Sequence, residues 1–332
     1  KARRDMGDNA VLNFSVSRVE ANNEERAATE IGRTEVTYSD FYTSTLSGGM
    51  QMQFDHHTVR WATELSTTIF TGSHELKVGA GYDHVALDEE WMVQTPDGRP
   101  GLLYRDDEAF WRSITLLNDF DISHRLPSFF LQDSWRPFDR LRVNAGLRWD
   151  GIYIVNPEGD VVQSINDGYQ PRAGLTYRLD EGGSQKIYGS YGRFYEQIPM
   201  IASSWFFGDF YQVDEYYDQN PLPDFNVDPT GGWVFDNAAL SSDNLKGQYV
   251  DEFTLGYERE VGTSWKAGIR GIHRDLGEAI ENSFTPDGLV TLGNPGRGRL
   301  DYLADPVRRY SALELSLENT MGRKLHMAAY YV

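Results

Sequence analysis

The sequence contains no cysteine, which excludes disulfide bonds and thiolate metal sites. It also lacks any run approaching the roughly 18 apolar residues of a membrane-spanning helix. This absence excludes helical membrane proteins but not membrane proteins built from strands, because such strands carry their apolar residues in alternation. Basic residues are scarce, with 31 Lys and Arg against 50 Asp and Glu, and the net charge of −19 argues against a nucleic-acid partner.

Signatures of catalysis and of metal binding are missing too. No G-x-S-x-G, H-E-x-x-H or phosphate-binding loop occurs, so we predict no catalytic residue, no metal and no cofactor. His56 and His57 would point to opposite faces of a strand and cannot share a metal ion. Oxygen ligands suited to calcium occur in one segment, at Asp214, Asp218, Asp224 and Asp228. Their spacing matches no EF-hand loop, and a solvated acidic loop is the favoured interpretation.

The strongest positive signal is the segment 129–150, which reads FFLQDSWRPFDRLRVNAGLRWD. From residue 141 onward, one face carries Leu141, Val143, Ala145, Leu147 and Trp149. The other face carries Arg142, Asn144, Gly146, Arg148 and Asp150. A period of two is the side-chain period of a β-strand, and Pro137, which lacks an N–H, breaks the ladder before it. The segment therefore predicts a β-hairpin with one apolar and one charged face.

The same alternation recurs along the 332 residues and predicts about eleven strands. Short turns near 72, 138, 182, 262 and 321 alternate with long connections at 19–48, 88–121, 155–168, 197–246 and 277–307. A soluble β-sandwich favours loops of about 2–5 residues, whereas outer-membrane barrels combine short periplasmic turns with long extracellular loops. Aromatic residues typical of an interfacial girdle lie near the ends of the apolar rows, at Trp61, Tyr82, Trp149, Tyr177, Tyr257, Trp265 and Tyr331. We therefore predict an all-β fold, an antiparallel transmembrane β-barrel.

Five segments resemble the barrel strands of TonB-dependent outer-membrane receptors: 71–84, 129–150, 186–199, 248–260 and 308–318. The motif Gly293-Asn294-Pro295-Gly296 is similar to the Oar-like branch of that family. The resemblance implies a 22-stranded barrel occluded by an N-terminal plug with a TonB box. This chain would be a barrel segment of about eleven strands. Residues 1–332 show no plug, and both ends of the chain are interpreted as cut.

The function implied by the resemblance is that of a Gram-negative outer-membrane receptor. Such a receptor takes up a scarce solute with energy delivered through TonB; siderophore, oligosaccharide, peptide and cobalamin all stay open. The implied partners are outer-membrane lipid, the TonB complex acting through the plug, and a small solute ligand. A passive or adhesive barrel that binds a surface partner without transport is the alternative, and an outer-membrane enzyme ranks behind both.

Charged residues on the polar rows are predicted to face the barrel lumen, where they would pair with the plug and guide a polar solute. They are Glu75, Lys77, Arg142, Arg148, Arg172, Arg178, Glu252, Glu258, Lys266, Arg270, Glu314 and Glu318. The simpler interpretation is that these charges neutralise one another between neighbouring strands, and we favour it for any single residue.

Aromatic residues crowd the long connection 197–246 and are candidates for ligand binding, because loops on a rigid scaffold carry specificity. They are Trp205, Phe206, Phe207, Phe210, Tyr211, Tyr216, Tyr217, Trp233 and Phe235. An equally weighted interpretation is that these rings pack the connection onto itself and its neighbours.

Overall fold

The computed structural model of the chain describes residues 1–50, 52–105, 111–208, 211–236, 240–242, 244–321 and 325–331. Its strands are β1 (Ala2–Asp5), β2 (Ala10–Glu25), β3 (Thr37–Asp40), β4 (Thr45–Gly48), β5 (Gln53–Thr71), β6 (His74–Val93), β7 (Leu102–Arg105), β8 (Trp111–Phe138), β9 (Leu141–Val155), β10 (Val161–Arg178), β11 (Gln185–Tyr195), β12 (Tyr211–Tyr217), β13 (Gly231–Asp236), β14 (Leu240–Ser242), β15 (Tyr249–Val261), β16 (Trp265–Glu278), β17 (Glu281–Phe284), β18 (Val290–Gly293), β19 (Arg309–Met321) and β20 (Leu325–Tyr331). The helices are α1 (Glu30–Thr34), α2 (Met200–Phe207) and a 3-10 turn at Gly298–Leu300. Neither α-helix in this part of the chain has the length and hydropathy to cross a membrane.

One antiparallel ladder organises the sheet, in the order β1–β2–β5–β6–β8–β9–β10–β11–β15–β16–β19–β20. Apart from the four-residue β1, the ladder has eleven strands, which confirms the predicted all-β antiparallel fold. Within the described residues no pairing joins β1 to β20, so the sheet is open. Several strands exceed the about 9–11 residues needed to cross a bilayer; β8 has 28.

Residues directly opposite one another on neighbouring strands share a face of the sheet. The two faces of the ladder defined in this way differ in chemistry. The leucine face carries Leu65, Leu131, Leu147, Leu175, Leu255, Ile269 and Leu315, each between 42% and 71% exposed. In-register pairs such as Leu131 with Leu147 and Ile269 with Leu315 make this face continuous across strands. The opposite face, here called the arginine face, carries Arg142, Arg148 and Arg172.

The predicted short turns are confirmed at four of the five positions. The chain reverses between β5 and β6, β8 and β9, β10 and β11, and β15 and β16. Gly72 and Gly262 adopt positive φ angles of 55° and 66° in the reversals after β5 and after β15, a conformation that favours glycine. The fifth predicted turn, near 321, extends into residues 322–324, which lie outside the described part.

Three of the predicted long loops are wrong in their bounds. Strand β2 continues to Glu25, β6 continues to Val93, and β8 already begins at Trp111. The connection between β9 and β10 is only 156–160, not 155–168. Register shifts between Val161 and Gln163 and between Ile165 and Gly168 interrupt the period of two there, which hides the strand from a search for alternation.

The other two long connections also contain secondary structure that the sequence did not predict. Within 197–246 lie α2 and β12 to β14, and β12 pairs antiparallel with the start of β8. Within 277–307, β17 pairs with β18, and β18 pairs in parallel with β14. The main hydrophobic core forms where these connections cover the arginine face: Leu87, Ile122, Leu126, Ile152, Ile154, Ile165, Ile198, Leu245 and Leu292.

Candidate functional site: the arginine face and the loop cluster

The predicted lumen residues all lie on the arginine face, among them Arg142, Arg148, Arg172, Arg178, Glu252, Glu258, Arg270 and Glu314. Most are ion-paired. Glu258 accepts from Lys186 at 3.1 Å and Lys266 at 2.6 Å. The pairing supports mutual neutralisation for these side chains, whereas their role in a lumen stays a prediction.

Other pairs on this face follow the same pattern. Arg270 donates to Glu314, Arg274 to Glu252, and Arg148 Nη2 lies 2.8 Å from Asp150.

Three arginines on this face lack a carboxylate partner among the described residues. Arg172 donates to Gln170 Oε1 at 3.2 Å, and its guanidinium lies 4.9 Å from the centre of the Phe194 ring. Arg142 and Arg178 are exposed, and within the described part of the chain their side chains form neither a hydrogen bond nor an ion pair. Glu64 and Glu75 on the same face likewise form no ion pair among the described residues, so unpaired charges of both signs remain on this wall.

A basin of about 560 Å³ lies over this part of the arginine face. Its walls include Lys77, Phe130, Arg148, Arg172 and Phe194. The Lys77 ammonium lies 5.1 Å from the centre of the Phe130 ring. Two cation–π pairs, Lys77 with Phe130 and Arg172 with Phe194, therefore border the basin. The volume lies within the range of about 300–1,000 Å³ typical of sites for small molecules.

The aromatic candidates of the connection 197–246 do not form one surface. Trp205, Phe206 and Phe207 lie on α2; Trp205 meets Trp91 edge-on, with ring centres 5.2 Å apart, and the two phenylalanines pack against the strand core. Tyr217 is 2% exposed, whereas Tyr211 and Trp233 are 50% and 49% exposed.

Three members of the set remain. Tyr216 is half-buried on β12, Phe235 is half-buried on β13 with its ring centre 5.6 Å from that of Trp233, and Phe210 lies outside the described residues. The structure thus divides the set into rings that pack and rings that are available to a ligand; whether any binds one stays a prediction.

Tyr217 is held by a second small core around Leu103 and Trp111. Burial raises the pKa of the Tyr217 phenol to about 12; the hydrogen bond with Ser113 opposes the shift and the Glu215 carboxylate adds to it. The phenol donates to Glu215 Oε2 at 2.9 Å. This tyrosine is therefore a neutral packing residue at physiological pH.

Helix α2 is fastened to the strands by two buried serines that the sequence analysis missed. Ser204 Oγ donates to Glu89 Oε2 at 2.9 Å, and Ser203 Oγ lies 2.9 Å from His124 Nε2. Glu89 is fully buried and also contacts His56 Nε2 at 2.5 Å. The partners are 115 and 79 residues apart, so no local pattern could have identified them.

Of the four aspartates considered as calcium ligands, Asp218, Asp224 and Asp228 are exposed, as the favoured solvated loop predicts, whereas Asp214 is not. Asp214 is buried, and its carboxylate accepts from Arg112 Nε at 3.0 Å, Gln212 Nε2 at 2.8 Å and Trp233 Nε1 at 3.1 Å. Among the described residues, no three His, Asp or Glu side chains are grouped to hold a metal ion. Asp214 instead fixes the β12–β13 hairpin against β8.

Asn294, in the motif similar to the Oar-like branch, ties two connections together. Its side-chain N–H groups donate to the Lys246 carbonyl at 3.0 Å and the Ala279 carbonyl at 2.7 Å. Its Oδ1 accepts from the Lys246 N–H at 2.8 Å. The two connections 197–246 and 277–307, here called the loop cluster, therefore form an ordered cover over the arginine face and are not independent loops.

Comparison with known proteins identifies the family. Residues 3–301 match the sequence model described as TonB dependent receptor-like, beta-barrel. The chain belongs to this family. The family assignment confirms the predicted barrel fold and the location in the outer membrane of a Gram-negative bacterium. It is a family of receptors and transporters.

A curated relative supports the Oar-like branch. The TonB-dependent transporter Oar of Myxococcus xanthus is 26% identical over 227 residues, which cover 58% of this chain and 21% of that protein. The chain thus spans about a fifth of the length of this relative.

Solved structures share the fold. The outer membrane transporter YddB of Escherichia coli superimposes with a TM-score of 0.52 at 12% identity, over 96% of this chain and 38% of that one. BauA, the ferric preacinetobactin receptor of Acinetobacter baumannii, superimposes with a TM-score of 0.54 at 14% identity, over 99% of this chain and 43% of that one.

Proposed function

We propose that this chain forms part of the wall and mouth of a transporter that takes up a scarce small solute across the outer membrane, energised through TonB. The proposal is supported above all by a basin of about 560 Å³ on a polar wall, in a chain of this family whose long connections cover the far end of the same face. Coupling to TonB would run through a plug domain, as in the architecture that the resemblance implies.

The two faces of the ladder have separate roles in this proposal. The leucine face contacts lipid, since its leucines are exposed and continuous from strand to strand. The arginine face borders the solute path, where Arg142, Arg172 and Arg178 provide guanidinium groups that no carboxylate among the described residues pairs with. Tyr211 and Trp233 are exposed rings of the connection 197–246, and we expect them to contact the solute at the mouth. Siderophore, oligosaccharide and peptide all remain candidate classes.

The function is tested by deleting the gene and measuring growth on candidate solutes as sole sources of iron, carbon or nitrogen. We expect growth on one class to fail in the deletion strain, to return when the intact gene is restored, and to fail again when TonB is inactivated. Uptake that persists without TonB would instead support the passive barrel. Restored uptake that is insensitive to the proton-motive force would argue the same way.

The assignment of the two faces is tested by single-cysteine labelling, for which the absence of native cysteine gives a clean background. Arg142→Cys and Glu314→Cys in lipid vesicles should react with a membrane-impermeant maleimide. The adjacent controls, Val143→Cys and Leu315→Cys, should be protected by lipid. The reverse pattern would overturn the assignment.

A further inference from the structure

A second cavity, separate from the basin, lies inside the loop cluster. It also measures about 560 Å³ and opens between α2, the start of β15 and the connection that contains β17 and β18. Its apolar walls include Ile198, Ala202, Phe206, Phe235, Ile280 and Leu292. None of these residues except Phe206 and Phe235 was singled out by the sequence.

Hydrogen bonds between the loops hold the walls of this cavity together. Gln248 Oε1 accepts from the Ile280 N–H at 3.0 Å, which joins the start of β15 to the segment before β17. The Gln248 amide nitrogen donates to Glu196 in the segment before α2. Asn294 closes the other side through Lys246 and Ala279. A preformed cavity avoids much of the ordering that binding otherwise requires.

Two opposite charges at the rim have no partner among the residues that the structure describes. Arg308 and Glu281 both line the cavity and are both exposed. Among the described residues, neither side chain forms an ion pair or a hydrogen bond. These two free charges contrast with the charges of the arginine face, most of which are paired. They also contrast with Glu196, another carboxylate of the cavity, which accepts a hydrogen bond from Gln248.

We propose that this cavity binds a short apolar peptide with free termini. An apolar side chain would occupy the space between Phe206, Phe235 and Ile280, the carboxylate would pair with Arg308, and the ammonium group with Glu281. An oligosaccharide fits poorly, because it needs many hydrogen-bonding groups, and the walls are largely aliphatic and aromatic. The inference rests on the proposed function and specifies the solute class at its mouth.

The test is isothermal titration calorimetry on the intact receptor in detergent, with the dipeptide leucyl-phenylalanine as the probe. Its C-terminal amide and its N-acetyl derivative serve as matched probes. Arg308→Gln should weaken binding of the free dipeptide by about tenfold or more, the factor expected from loss of a charge-assisted hydrogen bond. It should not affect binding of the amide. Glu281→Gln should give the same loss for the free ammonium form and none for the N-acetyl form.

The matched control is Arg309→Gln, which removes the next arginine; Arg309 pairs with Asp275 on the leucine face. It should leave binding unchanged. Ala202→Trp should fill the cavity and abolish binding, with unchanged circular dichroism as the check on folding. Absence of binding to the wild-type receptor, or equal binding by the wild type, Arg308→Gln and Glu281→Gln, would overturn the proposal.

Because calorimetry needs no TonB, its outcome separates the two proposals. Dipeptide binding in a receptor that shows no TonB-dependent uptake would support the cavity and contradict the transport function. TonB-dependent uptake of a different solute, without dipeptide binding, would contradict the cavity assignment alone.

Discussion

The arginine face has an open region near the short turns and a covered region near the long connections. In the open region of β9, Arg142 is exposed and Arg148 is half-buried. Farther along the same strand, Ile152 and Ile154 are buried beneath the connections. The same face of one strand thus contributes first to a polar wall and then, farther along, to a hydrophobic core.

The polarity of both faces reverses together at the boundary. On β6 the arginine face changes from Glu75 and Lys77 to Leu87, while the leucine face changes from Val78 to Asp88. The burial follows, since Leu87 is buried and Asp88 is exposed. We infer that the leucine face leaves lipid for water near this point and that the loop cluster replaces water on the opposite face.

The largest difference in stability effect between the two regions is expected for two phenylalanines of β8, one in each region. Phe120 is completely buried in the covered region, whereas Phe130 is half-buried in the open region under Lys77. Phe120→Ala should lower the free energy of unfolding by about 3–5 kcal/mol, because it leaves a cavity in packed surroundings. Phe130→Ala should lower it less than half as much.

The measurement is urea unfolding of the barrel refolded in lipid vesicles, combined with limited proteolysis of 197–246. Phe120→Ala should also accelerate cleavage within that connection, and Phe130→Ala should not. Equal losses of stability for the two variants would show that the covered region is no more of a core than the open one.

The next prediction concerns the leucine face beside the open region. Leu131 lies between the turn after Phe138 and the buried Leu126, and it is 52% exposed. If lipid surrounds it near the bilayer midplane, Leu131→Arg should destabilise the barrel by about 2–4 kcal/mol. Gln132→Arg, one residue along and on the arginine face, is the control and should change stability little. Similar urea midpoints for both variants would contradict lipid contact.

How much the sequence could predict follows the same division. Strands beside the open region alternate cleanly, as at Leu141 to Asp150, which is the pattern expected where one face contacts lipid and the other borders water. Their order, their turns and the membership of the arginine face were all recoverable. The single-phase pattern fails beyond Asp83, where the polarity of the faces reverses, and beyond Val155, where bulges shift the register.

The loop cluster was the less predictable part of the site. Its aromatic content was evident, but Tyr217 is buried and Tyr211 is exposed although both lie on β12. The difference arises from contacts with β8 and with the core around Leu103, which are about a hundred residues distant in sequence. Likewise, nothing near Glu89 or Ser204 indicates that one will accept a hydrogen bond from the other.

The smallest predicted effect tests how far the covering extends into β12. Tyr217→Phe removes the hydrogen bond to Glu215 and should lower stability by about 1 kcal/mol at neutral pH, whereas the exposed Tyr211→Phe should be neutral.

Because burial raises the pKa of Tyr217 to about 12, its protonated form is favoured in the folded state. That stabilisation is complete below the unfolded pKa of about 10 and is lost as the pH rises through about 12. Tyr217→Phe should therefore show a weaker alkaline loss of stability in this window, measured by fluorescence-monitored unfolding at a series of pH values. An alkaline profile identical to the wild type would indicate that water reaches this phenol and that the covered region ends before β12.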